Sequence, residues 1–108
     1  MAEQADILRI AMAQLNPTLG DVAGNLSKAK EAHSDARRMH ADLLLMSELF
    51  ISGYPPEDLV LKPAFVQACM DAVEKLAKET ADGAPGIIVG SPYKDEEGLF
   101  NAVAVLDD

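Results

Sequence analysis

Two rhythms of apolar and polar residues divide the chain. Ile7 to Ala13 is mostly apolar and predicts a strand. Asn16-Pro17-Thr18-Leu19-Gly20 is a turn cluster. From Asp21, a candidate N-cap, the period lengthens: Val22, Leu26, Ala29, His33 and Ala36 recur at helical spacing, with Lys28, Lys30, Glu31 and Arg38 opposite. That predicts an amphipathic helix ending near His40. Asp42 to Met46, with its run Leu43-Leu44-Leu45-Met46, predicts a second, buried strand. Pro63 stands where a first helical turn tolerates proline. Phe65, Val66, Cys69, Met70, Val73, Leu76 and Ala77 then form one stripe of a helix reaching about Thr80. Gly83-Ala84-Pro85-Gly86 breaks it. Ile87-Ile88-Val89-Gly90 predicts a third strand, Lys94-Asp95-Glu96-Glu97-Gly98 a polar loop, and Leu99 to Leu106 a fourth strand, close enough to the third for a hairpin. The order β-α-β-α-β-β predicts an α/β domain with helices laid against a sheet.

Composition narrows this only slightly. A chain of 108 residues suffices for one domain and one modest core. Its 49% hydrophobic and 25% charged residues exclude a disordered or low-complexity segment. A formal net charge of −9 argues against nucleic acid and anionic membranes as partners, since phosphates must be neutralised by Lys and Arg; otherwise it serves solubility. Cys69 is the single cysteine, so no internal disulfide is expected, in keeping with a reducing, cytoplasmic setting. Met1 to Gln14 has no basic segment leading into a long apolar core, so no signal peptide is read. No apolar run approaches membrane-spanning length.

The chemistry concentrates at Ser47-Glu48-Leu49-Phe50 and the following Ser52-Gly53-Tyr54-Pro55-Pro56-Glu57-Asp58-Leu59. A carboxylate at the mouth of a buried strand is costly unless it is paired or used. Glu48 is therefore a candidate catalytic residue; the alternatives are a cap for the next turn or a partner for a nearby cation. Glu57 and Asp58 suit the start of a helical turn. Cys69 lies on the apolar stripe beside Phe65, Met70 and Val73 and reads as core rather than nucleophile. His33 and His40, seven apart, read as helix-surface or boundary residues, and no Cys, His or carboxylate arrangement completes a metal site. Gly90-Ser91-Pro92-Tyr93 lacks the repeated glycines and lysine of a phosphate loop and reads as a strand-end turn.

Several segments carry a resemblance. They are Ala11-Met12-Ala13-Gln14-Leu15-Asn16-Pro17, Gly20-Asp21-Val22-Ala23-Gly24-Asn25, Ala41-Asp42-Leu43-Leu44-Leu45 leading into Ser47-Glu48-Leu49-Phe50, Ile88-Val89-Gly90-Ser91-Pro92 and Phe100-Asn101-Ala102-Val103-Ala104-Val105. With these the chain resembles the nitrilase (carbon–nitrogen hydrolase) superfamily. Gly53-Tyr54-Pro55-Pro56-Glu57-Asp58-Leu59, running on into Leu61-Lys62-Pro63-Ala64-Phe65, is similar to the narrower branch of glutaminase domains at the N-termini of glutamine-dependent NAD synthetases. Ser47 departs from the proline usual in the superfamily, though serine holds the same extended backbone.

The resemblance implies an α-β-β-α sandwich, of which residues 1–108 would be the N-terminal portion, and a Cys-Glu-Lys triad. Glu48 would be the general base, taking the proton of a nucleophilic cysteine as its sulfur attacks the carboxamide of glutamine, then helping water cleave the thioester. That role requires desolvation to raise its proton affinity, which a strand end beside Leu49 and Phe50 is expected to supply. Tyr54 would line the glutamine pocket or the ammonia exit, or else pin the loop as a packing aromatic. The triad's lysine, an oxyanion stabiliser, and its cysteine lie beyond the closing hairpin, and no residue here matches either. Ammonia would pass to a C-terminal synthetase domain, also absent, where ATP and Mg serve the conversion of nicotinic acid adenine dinucleotide to NAD; no cofactor is expected in this segment. Homo-oligomers form in the family.

The apolar strand ending at Leu106 is covered either by a partner copy or the existing helices, or, as the resemblance favours, belongs to the opening piece of a larger domain, expected to be inactive alone. Rival readings are another nitrilase-type amidase, a carbamoylase or ω-amidase, against which Pro55-Pro56-Glu57-Asp58-Leu59 speaks, and a stand-alone interaction module that kept half of an amidase sheet.

Overall fold

The computed structural model describes residues 7–107; the part of the N-terminal reading that falls on Met1 to Asp6 lies outside the described residues. The elements are β1 (Ile10–Met12), α1 (Val22–Arg38), β2 (Leu43–Leu45), a 3-10 turn (Glu57–Leu61), α2 (Pro63–Glu79), β3 (Gly86–Asp95) and β4 (Gly98–Leu106). The predicted order holds. They build one four-stranded sheet in the order β1-β2-β3-β4, with β1, β2 and β3 parallel and β4 antiparallel to β3. Two βαβ crossovers and a terminal hairpin account for it.

Asp21 caps α1, its Oδ1 accepting the Gly24 N–H at 2.9 Å. The helix ends at Arg38, slightly before the predicted His40, because Met39 takes the C-cap and His40 turns out with φ 61°. Pro63 opens α2 as expected. α1 buries Asn25, Leu26, Ala29, His33 and Ala36, and α2 buries Val66, Cys69, Ala72 and Leu76. Both stripes meet Leu44, Ile87 and Val89 in one core. Each large apolar side chain sealed there contributes roughly 1.5–3 kcal/mol.

Three sequence readings need correction. β1 and β2 pair over only three residues each; beyond that end the Asp42 carboxylate accepts the Arg9 N–H at 2.9 Å in place of a further ladder carbonyl. His33 is a buried core residue rather than a surface one, its Nε2–H donating to Pro85 O at 3.0 Å, while His40 lies outside the helix. Gly90-Ser91-Pro92-Tyr93 is mid-strand, not a strand-end turn: β3 runs ten residues because β4 pairs along all of it. Proline is tolerated there because β2 reaches only Ile88, so at Pro92 β3 has an edge with no ladder to interrupt.

Helices cover one face of the sheet. On the other, Met12, Leu45, Ile88 and Val105 align across all four strands; Met12 is 66% and Val105 70% exposed. No helix among the described residues is long and apolar enough to cross a membrane.

Candidate active site

Past β2 the chain stays bound to β3 at two points. Met46 N–H donates to Ile88 O at 2.9 Å and Ile51 N–H donates to Gly90 O at 3.2 Å. Between them residues 47–50 form a tight excursion. It lies directly on β3 because Gly90 has no side chain: a Cβ there would meet Leu49 N at 2.5 Å and Ser47 O at 2.8 Å. Leu49 takes φ 51°, a conformation that costs a bulky residue on the order of 1–3 kcal/mol and persists only where the surroundings enforce it. Here they do. Leu49, Phe50, Ile51 and Ser52 are buried, and Leu49 O accepts from both Ser52 Oγ (3.1 Å) and Gly53 N–H (3.0 Å).

A second loop locks the first. Gly20 N–H donates to Ser52 O at 2.9 Å. Gly53, at φ +83°, approaches so closely that a Cβ would sit 2.5 Å from Leu19 Cα. Asn25, fully buried on α1, ties both together: Oδ1 accepts the Thr18 N–H (2.8 Å), and Nδ2 donates to Thr18 O (2.9 Å) and Ile51 O (3.0 Å). Every polar group of that amide is thereby engaged.

Glu48 projects from this clamp on the uncovered side of the sheet and is exposed. The expectation that Leu49 and Phe50 would dry its surroundings is not met within this chain: both turn inward to the core, which sends the acid outward. Glu48 separates two open concavities. One, of about 330 Å³, is lined by Asn16, Pro17, Ser47, Glu48 and Tyr54. The other, of about 270 Å³, runs over the bare sheet past Gly90, Asn101 and Val103. Tyr54, 63% exposed, lines the first together with Glu48. Asn101 Nδ2 donates to Glu48 Oε2 at 2.5 Å. Among the described residues no cation pairs with Glu48; the ion pairs are Lys30–Glu79, Arg37–Asp82 and Arg38–Asp35.

Glu57 and Asp58 begin the 3-10 turn, as read from the sequence. Cys69 is sealed in the core, where burial pushes its thiol up to about 11. No group of three His, Cys, Asp or Glu residues placed to hold a metal ion is found among the described residues. Sequence reading assigned no role to Asn25 or Asn101. Both had a signal: Asn25 is an amide on an apolar helical stripe, and Asn101 shares strand parity with Leu99, Val103 and Val105.

The carbon–nitrogen hydrolase model matches residues 9–108. The chain is 48% identical over 103 residues to the glutamine-dependent NAD(+) synthetase of Rhodobacter capsulatus, covering 95% of this chain and 18% of that protein. It is 45% identical over 101 residues to that of Thermotoga maritima, covering 94% and 17%. Among solved structures it superposes on the glutamine-dependent NAD+ synthetase from Acinetobacter baumannii with a TM-score of 0.85 at 32% identity, covering 94% of this chain and 19% of that one. The chain thus spans less than a fifth of the length of the curated relatives it matches.

Proposed function

The chain belongs to the carbon–nitrogen hydrolase family, and on that premise we propose that it is the N-terminal portion of a glutaminase domain in which Glu48 is the general base. The observation that carries this is the clamped turn. A carboxylate is projected from a rigid backbone onto the one sheet face that lacks a covering layer, between two concavities. Similarity to glutamine-dependent NAD(+) synthetases along nearly the whole chain supports the substrate.

The rest of the sandwich, contributed by sequence beyond this chain, covers Met12, Leu45, Ile88 and Val105 and brings the nucleophilic cysteine and an oxyanion-stabilising lysine to Glu48. The carboxylate accepts the thiol proton as sulfur attacks the glutamine carboxamide carbon, and that proton leaves with ammonia. Glu48 then takes a proton from the water that cleaves the glutamyl thioester and returns it to the departing sulfur, releasing glutamate and restoring the thiol. Desolvation of the base comes with that covering layer. Tyr54 forms one wall of the glutamine pocket.

Ammonia is consumed in the ATP-dependent conversion of nicotinic acid adenine dinucleotide to NAD. We assign ATP and magnesium binding to the synthetase domain of the whole protein. The whole protein works as a cytoplasmic homo-oligomer.

The test is donor specificity. The full-length protein is expected to make NAD with glutamine as nitrogen donor, and the isolated 108-residue chain to release no ammonia above a buffer control. Turnover of N-carbamoyl amino acids or ω-amides without glutamine turnover would contradict the assignment.

A further inference from the structure

We propose that Asn101 is the positioning residue for the Glu48 carboxylate. The inference rests on the reading of Glu48 as general base. Asn101 sits on β4, opposite Pro92 of β3, with its side chain at Glu48: Nδ2 donates to Oε2 at 2.5 Å. The turn fixes the Glu48 backbone but leaves its side-chain torsions free, because Leu49 and Phe50 face the core and give the acid no wall. The amide supplies the missing constraint.

Its chemistry suits the task. A neutral donor holds one carboxylate oxygen and leaves Oε1 to accept the thiol proton, whereas a lysine or arginine would tie up the charge the base must use. The hairpin explains the placement. β3 outruns β2 by seven residues past Ile88, and β4 follows it, which carries residue 101 alongside the Glu48 turn. Val103 and Val105 continue the same face as apolar positions, so a polar residue at 101 stands out from its own strand.

Steady-state kinetics of the full-length protein test this with Asn101→Ala, Asn101→Asp and Glu48→Gln. Losing a hydrogen bond to a charged group predicts a fall in kcat for glutamine hydrolysis of roughly ten- to hundredfold in Asn101→Ala. KM for glutamine should stay within about twofold, because Asn101 touches the base and not the substrate. Asn101→Asp, which sets a second carboxylate against Glu48, should fall further than Asn101→Ala. NAD formation from free ammonium should match wild type in both, since that reaction does not use the Glu48 carboxylate. A wild-type kcat in Asn101→Ala, an Asn101→Asp variant as active as Asn101→Ala, or a loss confined to KM or to thermal stability would overturn the proposal. Glu48→Gln separates the two levels: full glutamine turnover in that variant would fell the base assignment itself, while an inactive Glu48→Gln beside an unaffected Asn101→Ala would fell only this inference.

Discussion

On the helix-clad face of the sheet, Leu44, Ile87 and Val89 are almost fully sealed under α1 and α2. On the opposite face, Leu45 of β2, Ile88 of β3 and Val105 of β4 line up toward solvent. The residue types are the same on both sides, so hydrophobicity does not distinguish the covered face from the uncovered one. The distribution of chemistry does. The one thiol is locked into the sealed face, where burial disfavours its reactive form. Glu48, mounted on the clamped turn beside strained Leu49, is on the open face, with an amide already on it. A reactive residue type in a dry core is packing; the acid held on the clamped turn over the uncovered apolar face is the proposed site.

The comparison can be broken first from the sealed side. Phe50 anchors the turn from below, and Phe50→Ala should cost about 3–5 kcal/mol in a urea unfolding curve. A loss under about 1 kcal/mol would mean the turn is not held by the core. The open face should behave in two ways. Val105→Lys in the 108-residue chain should stay within about 0.5 kcal/mol of wild type, whereas in the full-length protein the same change should cost on the order of 2–4 kcal/mol because the charge is buried unpaired. Equal effects in both would show that nothing covers this face.

Smaller effects sharpen the contrast through pH. The Cys69 thiol is pushed up to about 11 by burial. The unfolded chain gives up this proton first, from about 9, so it binds fewer protons than the folded form and stability falls as pH rises through that window. Cys69→Ala should abolish this alkaline loss in a series of thermal melts. Least of all, Arg37 donates to Asp82 and holds that carboxyl below its ordinary range. Its contribution is present above the usual carboxylate range and lost as pH falls below it. Both groups are solvent-exposed, so the acid loss should be slight and erased by 1 M salt.

Much of this fold was legible in the residues. Asp21, Pro63 and the two helical stripes set α1 and α2 because capping and period are local properties. Strand ends were less legible, since they depend on what pairs alongside: β3 passes through Pro92 only because β4 follows it and β2 has already stopped. Glu48 stood out as an acid after an apolar run, but the direction it faces did not, because Leu49 at φ 51° reverses the simple alternation. Asn101 reaches Glu48 only through the hairpin register, a contact across 53 positions that no local pattern encodes.

The most direct test of the account sets the two faces against each other in the full-length protein, by measuring glutamine-driven and ammonium-driven NAD formation in Glu48→Gln and Cys69→Ala. Glu48→Gln should lose roughly 10²–10⁴-fold of the glutamine-driven rate and keep the ammonium-driven one, while Cys69→Ala keeps both. Glutamine-driven synthesis surviving in Glu48→Gln, or vanishing in Cys69→Ala with the fold intact, would contradict it.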